Sequence, residues 1–313
     1  MQVHQQTDNL PVFRNAVVTI GTFDGVHKGH QLIIQQMKKE ASVSGGETVI
    51  ITFHPHPRKI ISGKSGKLFL LTTLQERIRL LKDSGIDHLV VIPFTDDFAE
   101  QDAESYIRDF LVRYFHPHTI IIGYDHRFGK NRLGDYHLLE KMAPDFNYKV
   151  KEIDEQVLNE VTISSTRIRV AISRGDIVSA NEFLGYRYFF EGEVINGDKR
   201  GRTIGFPTAN LRLTDPDKLI PGDGVYAVKA AMHGKNNPPI VKNGMMNIGF
   251  RPTIDGLNHI IEVNLFDFNE DIYGEKLEIS VVQRIRDEQK FNGLESLKAQ
   301  LKKDKLATQE LLG

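Results

Sequence analysis

In the first half of the chain, short unbroken apolar runs alternate with longer stretches whose apolar residues recur three and four positions apart. Val17–Ile20, Thr48–Phe53, His88–Phe94 and Thr119–Ile122 are nearly continuous in Val and Ile, which predicts strands buried on both faces. Gln31–Ala41, Thr73–Lys82 and Asp102–Phe115 carry the helical spacing. The second opens with Thr73 and Glu76, a capping box, and the third places Ile107, Phe110, Leu111 and Tyr114 on one stripe. Strand–helix–strand alternation predicts an α/β domain: a doubly wound parallel sheet with helices on both faces. Ligands of such sheets bind beyond the C-terminal strand ends, at a topological switch point.

The pattern changes after Leu184. Tyr188–Ile195, Gly224–Ala231, Met245–Ile248, Ile260–Phe268 and Lys276–Val282 are strand-like and separated by turns rich in Gly, Asp, Asn and Pro. Within one of them Ile261, Val263 and Leu265 face one way and Ile260, Glu262, Asn264 and Phe266 the other. Strands in succession without intervening helices predict an antiparallel β-barrel or sandwich. One amphipathic helix, Leu294–Lys303, follows. The expected division is residues 1–183 and 184–313, with a helix running into a strand at 172–187.

A length of 313 residues suits two domains. Forty basic and 41 acidic side chains balance, with 22 and 23 up to Leu184 and 18 of each beyond it. Neither half is a basic nucleic-acid module, so no nucleic-acid partner is expected. Cysteine is absent, which excludes disulfides, thiolate metal sites and cysteine nucleophiles. No apolar run reaches the ~20 residues that span a bilayer, and MQVHQQTDNL lacks the form of a secretory signal. A cytoplasmic enzyme or small-ligand binder without a membrane partner is expected.

The first candidate site is the segment Gly21-Thr22-Phe23-Asp24-Gly25-Val26-His27-Lys28-Gly29-His30, between the first strand and the first helix. Gly21, Gly25 and Gly29 permit close backbone approach, and a helix N-terminus presents free N–H groups and a positive dipole end. His27 and His30 can donate to phosphate oxygens where charge accumulates. The bland alternative is a Gly-rich turn with incidental histidines. Ile163-Ser164-Ser165-Thr166-Arg167-Ile168-Arg169 leads into another helix, offering hydroxyls at Ser164, Ser165 and Thr166 and a fixed cationic fork. Together, in this order, the two segments resemble the paired signatures of the nucleotidyltransferase superfamily.

Two further segments lie at the expected ligand edge. Thr52-Phe53-His54-Pro55-His56-Pro57 is a rigid, Pro-flanked loop that sets His56 beside a substrate; metal binding by His54 and His56 is the alternative, with no carboxylate or cysteine neighbour to support it. Gly123-Tyr124-Asp125-His126-Arg127-Phe128-Gly129 ends the fourth strand. With these four segments the first half resembles the adenylyltransferase domain of bacterial bifunctional riboflavin kinase/FAD synthetases. His126 departs from that family, which usually carries Phe there.

In the second half, Gly201-Arg202-Thr203-Ile204-Gly205-Phe206-Pro207-Thr208-Ala209-Asn210 can wrap phosphates with backbone N–H groups, while Thr208 and Asn210 offer oxygen ligands to Mg²⁺. Neither a Walker P-loop nor a protein-kinase catalytic loop is present. Glu262 sits among apolar strand residues, where a carboxylate must be paired or functional, or else lie at an exposed edge. With Asn247-Ile248-Gly249-Phe250-Arg251-Pro252-Thr253 and the downstream Leu265-Phe266-Asp267-Phe268, these residues resemble the riboflavin kinase domain of the same family.

The resemblance covers nearly the whole chain and implies two activities. One phosphorylates riboflavin to FMN in the C-terminal domain; the other joins FMN to AMP from ATP in the N-terminal domain, giving FAD and pyrophosphate. It implies ATP with Mg²⁺, and these roles: His27 and His30 at the α-phosphate, with Gly21, Phe23, Asp24, Gly25 and Gly29 shaping that loop; Arg169 at the leaving phosphates; His56, Asp125, Asn247 and Arg251 at flavin; Gly201, Gly205 and Pro207 at the kinase phosphates; and Glu262 as the base for a ribityl hydroxyl. A nucleotidyltransferase for another substrate leaves the second half unexplained. A flavin-sensing protein without catalysis is expected to lack His30, Glu262 or Thr208. An aminoacyl-tRNA synthetase is expected to show a second Lys-rich signature and a basic face.

Overall fold

The computed structural model describes residues 1–61, 68–153, 163–197, 200–233, 239–253 and 256–313, without the side chains of 200, 202, 251–253 and 256–258. The chain divides into two compact units, Met1–Ser165 and Thr166–Gly313.

The first unit is a six-stranded, all-parallel sheet. Its strands are β1 (Gln2–His4), β2 (Val17–Ile20), β3 (Thr48–His54), β4 (His88–Pro93), β5 (Thr119–Gly123) and β6 (Lys149–Ile153), in the order β1-β4-β3-β2-β5-β6. The four expected strands are present. Alternate residues of each serve opposite faces: Val18, Ile20, Val49, Ile51, Val90, Ile92, Ile120 and Ile122 join one core. Val17, Ile50, Leu89, Val91 and Ile121 join the other, against Ile34, Met37 and Ala41 of α1 (Lys28–Ser44). From β2 the chain steps outward through β3 to β4, then returns to place β5 on the other flank of β2. The switch point therefore lies between β2 and β5, and the loops after β2, β3 and β5 open at one edge.

Two more helices frame that edge: α2 (Pro57–Ile61) and α3 (Leu74–Asp83). The capping box of α3 is present, with Thr73 Oγ1 accepting from the Glu76 N–H and the Glu76 carboxylate accepting from the Thr73 N–H at 2.8 Å. The expected helix 102–115 is continuous but widens into π-type turns over Tyr106–Val112, between short α-helical pieces. The wider turn puts Tyr106, Ile107, Phe110, Leu111 and Phe115 into the core together, where a regular helix would turn some of them out.

The second unit is a closed six-stranded antiparallel barrel, which settles the choice between barrel and sandwich. Its strands are β7 (Phe189–Ile195), β8 (Ala209–Leu213), β9 (Gly224–Met232), β10 (Ile240–Thr253), β11 (Gly256–Leu265) and β12 (Lys276–Arg286), ordered β10-β11-β8-β7-β12-β9. Ile261, Val263 and Leu265 point into the core as expected. β11 ends at Leu265 rather than Phe268 because Asp267 adopts a left-handed backbone, φ 52°, which leaves the ladder. The closing helix runs from Leu294 to Leu312, nine residues past the expected end. The extension is anchored by a polar contact that apolar spacing does not reveal: buried Asp304 accepts a bidentate pair from Arg286, Nε–Oδ1 3.0 Å and Nη2–Oδ2 2.8 Å.

The helices Ser165–Ser173 and Ile177–Leu184 precede the barrel. Ile177 is part of the barrel core, Asn181 Nδ2 donates to Val281 O at 3.1 Å, and the Gly222 N–H donates to Ile172 O at 3.1 Å. We propose residue 184 as the start of the kinase-type domain proper, with 166–183 as its buttress. A fragment starting at Thr166 is then expected to unfold at higher urea than one starting at Leu184, since losing a buried Ile costs about 2–5 kcal/mol. Equal urea midpoints would show that the two helices add no stability.

Candidate active sites

The loop after β2 is forced into an unusual path. Phe23 (φ 48°), Gly25 (φ 85°) and Val26 (φ 37°) all lie in the left-handed region, which for a β-branched residue is a true outlier. Its restraint is the Asp24 carboxylate, completely buried, which accepts from the Leu71 N–H (3.1 Å), the Thr72 N–H (2.9 Å) and Thr72 Oγ1 (3.1 Å). Thr72 Oγ1 in turn accepts from the Gly25 N–H at 3.0 Å. The strained turn is therefore tied to the segment leading into α3. Asp24 supports the loop from beneath, an arrangement that its place in a phosphate-type motif does not disclose.

His27 caps α1, its Nδ1 accepting from the His30 N–H at 3.4 Å. With Nδ1 an acceptor, the neutral ring carries its proton on Nε2, where it can donate. The rings of His27 and His30 stack with centroids 3.7 Å apart, and Phe23 packs on His30 at 4.8 Å. Gly29 lets the rings lie close: a Cβ would sit 3.2 Å from the His27 ring, tight enough that the ring would have to shift. Burial foremost, then neighbouring His27 and the Arg77 guanidinium, push the His30 pKa well below the usual imidazole range. At neutral pH His30 is an uncharged hydrogen-bond donor. The segment 163–169 joins this loop through Ser165, whose Oγ donates to Asp24 O at 3.0 Å. Ser164 and Thr166 are exposed, and Arg169 lies half-buried on the helix that begins at Ser165.

The other two edge loops are also ordered by side chains. His56 is buried and its Nδ1 accepts from the Arg58 N–H at 3.1 Å, which fixes the ring at the head of α2. Asp125 is exposed in a turn closed by the His126 N–H donating to Gly123 O at 3.0 Å. The loop is pinned by Phe128, stacked on Tyr106 at 5.0 Å. Burial holds the His126 pKa down to about 4, and its Nε2 makes no hydrogen bond among the described residues. No group of three or more His, Asp or Glu able to hold a metal occurs among the described residues.

In the barrel the register builds a polar row. Asn247 of β10 lies opposite Glu262 of β11, which lies opposite Asn210 of β8. Directly paired residues share a face at roughly 5 Å between Cβ atoms, so the three side chains stand side by side on the outer surface. The core row Ile248–Ile261–Leu211 lies beneath. Thr208 Oγ1 donates to Glu262 Oε1 at 3.3 Å, and Asn264 Nδ2 donates to Pro207 O at 2.6 Å, holding the preceding loop against β11. That loop folds back on itself: the Ile204 and Phe206 N–H groups both donate to Gly201 O, at 3.3 and 2.9 Å, and Gly205 takes φ 83°. Thr208 and Asn210 supply the hard oxygen donors that suit Mg²⁺ carried on nucleotide phosphates, a cation that needs few protein ligands. Arg251 lies on β10; its side chain is outside the described residues.

Three residues beneath this loop, Arg77, Thr52 and Thr72, are not candidates on the sequence alone. Arg77 is fully buried beneath the loop, although its position on the apolar stripe with Leu74, Ile78 and Leu81 is a legible signal.

Two separate loops, one at the head of a helix over a parallel sheet and one against a barrel strand bearing a carboxylate, are the candidate sites of a two-domain enzyme. Residues 10–167 match the FAD synthetase family and residues 184–312 the riboflavin kinase family. A bifunctional riboflavin kinase/FMN adenylyltransferase of Listeria monocytogenes is 42% identical over 94% of this chain and 91% of its own length. The protein of that name from Escherichia coli K12 is 35% identical over 95% and 93%. A solved structure titled macrolide-efflux protein, from Streptococcus pneumoniae, superposes with a TM-score of 0.85 at 33% identity and covers 98% of both chains. The chain belongs to the bifunctional riboflavin kinase/FMN adenylyltransferase family. No helix among the described residues is long and apolar enough to cross a membrane.

His126 lends itself to a pH test. Its folded pKa of about 4 lies below the ordinary 6.5, so the unfolded chain takes up a proton that the folded chain does not between those values. That increment of stability is complete above pH 6.5 and is lost as pH falls towards 4. His126→Phe should therefore flatten the fall of the unfolding midpoint between pH 6.5 and 4. Parallel curves for the two proteins would show that His126 titrates normally in the fold.

Proposed function

We propose that the barrel transfers the γ-phosphoryl group of ATP to riboflavin, and that the parallel-sheet unit then joins the resulting FMN to the AMP moiety of a second ATP, with substrates drawn from the cytoplasm. The observation that carries the kinase assignment is Glu262, flanked in register by Asn247 and Asn210 and held by Thr208. The ribityl hydroxyl is a neutral nucleophile, so Glu262 takes its proton as the oxygen attacks the γ-phosphorus and ADP departs. Mg²⁺ bound with the nucleotide supplies charge neutralisation; Thr208 and Asn210 are the residues that would hold it. The Gly201–Pro207 loop cradles the phosphates, and Asn247 and Arg251 orient the flavin.

In the first unit the nucleophile is the phosphate of FMN, already anionic, so no base is required. Its oxygen attacks the α-phosphorus of ATP and pyrophosphate leaves. Charge moves onto the α-phosphate oxygens, and His27 Nε2 and His30 donate to them from a loop that the fold holds in place beforehand. Ser164 and Ser165 serve the leaving phosphates; His56 and Asp125 line the flavin side. Burial of His30 supports donation from a neutral ring rather than a cation.

Single substitutions are expected to separate the reactions. His30→Ala should stop FAD formation while FMN accumulates from riboflavin. Glu262→Gln should cut riboflavin phosphorylation by roughly 10²–10⁴-fold and leave adenylylation of supplied FMN near normal. Chromatography of the flavin products checks both. Equal loss of FMN and FAD in either folded variant would contradict two independent sites, and kinase turnover within a few-fold of wild type in Glu262→Gln would remove that residue from the mechanism.

A further inference from the structure

Arg77, on the first turn of α3, is fully buried. A single nitrogen, Nη1, donates to three acceptors: Thr22 O at 2.6 Å, Thr52 Oγ1 at 2.9 Å and Phe53 O at 3.3 Å. Thr22 belongs to the loop that carries His27 and His30; Thr52 and Phe53 precede His54, the last residue of β3, just before the loop that carries His56. Thr52 Oγ1 also donates to Thr22 O at 3.1 Å, so one guanidinium nitrogen and one hydroxyl fasten the two loops to each other. The remaining nitrogens, Nε and Nη2, make no hydrogen bond among the described residues.

That distribution differs from an arginine kept for stability. A structural guanidinium normally spends its fork on a bidentate carboxylate partner, whereas here the bonds converge on backbone and hydroxyl oxygens at the tips of two strands. A buried cation so placed is costly to desolvate. The Asp24 charge offsets part of that cost and favours the charged form of Arg77, while Arg77 in turn helps to keep His30 neutral. The anchor acts where the backbone is least comfortable, one residue before Phe23 turns left-handed.

We infer that Arg77 is a positioning residue for adenylyl transfer, locking the nucleotide loop of His27 and His30 to the flavin-side loop of His56 so that the two reacting phosphates meet in line. This rests on reading residues 21–30 as the ATP-binding loop. Arg77 touches neither substrate; it sets the distance between the loops that do.

The test uses the full-length chain, with adenylylation of supplied FMN followed by pyrophosphate release and the urea unfolding transition of the parallel-sheet unit as the measure of intact protein. Arg77→Met should lower kcat for adenylylation about tenfold or more with KM for ATP and FMN within about threefold, because misplacement of bound substrates is felt mainly in the transition state. Arg77→Lys, which restores a donor and the charge, should recover most of the loss. Wild-type turnover in folded Arg77→Met, beside an inactive His30→Ala, would overturn the inference and leave the site assignment standing. An active His30→Ala would overturn the site assignment and the inference with it. Losses in Arg77→Lys equal to those in Arg77→Met would assign Arg77 to stability alone. Should Arg77→Met fail to fold, Thr52→Val decides: it cuts the link to Thr22 but keeps shape and charge. A fall in kcat at an unchanged unfolding midpoint supports the inference, and an unchanged kcat overturns it.

Discussion

The first candidate site depends on one buried carboxylate. A chain that turns left-handed at Phe23, Gly25 and Val26 within four residues stores strain, and it keeps that path only if its surroundings over-determine it. Asp24 does this by accepting three hydrogen bonds from Leu71 and Thr72. The carboxylate could not stay buried and charged without such donors. The consequence reaches the chemistry directly. With the turn fixed, α1 begins at Lys28, His27 falls at its cap, and the two imidazoles stack at the edge where the parallel sheet opens.

The barrel reaches a comparable end by a different constraint. No strained turn carries Glu262; the ladder does. Antiparallel register places Asn247, Glu262 and Asn210 abreast, and the two-residue period of the strands puts them all on the outer face once Ile248, Ile261 and Leu211 fill the core. A one-residue slip of β11 would bury the carboxylate and expose the core, so the site inherits its precision from the hydrophobic pattern. The loop before it needs only Gly201 and Gly205 to fold back and one Asn264–Pro207 bond to dock.

Much of this was legible beforehand because the same forces write the sequence. Continuous Val and Ile runs marked four central parallel strands, and the Thr73/Glu76 box marked the start of α3 to the residue. β1 and β6 escaped notice because they are edge strands: β1 is three residues long, and Lys149, Lys151 and Glu152 break the apolar pattern of β6. β8 was absorbed into the Gly-rich segment that precedes it, its alternation covering only five residues. The last nine residues of the closing helix rest on the Arg286–Asp304 pair, a contact between distant positions with no periodic signature. Candidate site residues were found where a motif concentrates unusual residue types. Arg77, Thr52 and Thr72 carry no motif signal of their own, since one lies in a helix, one in a strand and one in the bend before α3, and only the fold brings them beneath the loop.

The two units also divide the chemical labour in a way their side chains express. Phosphorylating an alcohol demands a proton acceptor, and the barrel holds a half-buried carboxylate among amides and a hydroxyl, none of which competes for the proton. Joining two phosphates demands the reverse: the nucleophile is anionic from the start, and a carboxylate facing it would repel it. In the first unit the acidic residue nearest the histidines in sequence, Asp24, is turned inward and held by N–H and O–H donors, while the helix head presents two imidazoles and no carboxylate. Charge that would obstruct the reaction is spent on holding the loop. Under the proposed mechanism the same residue type acts as a base in one unit and as a buried fastening in the other, and the difference is set by which direction the backbone lets it point.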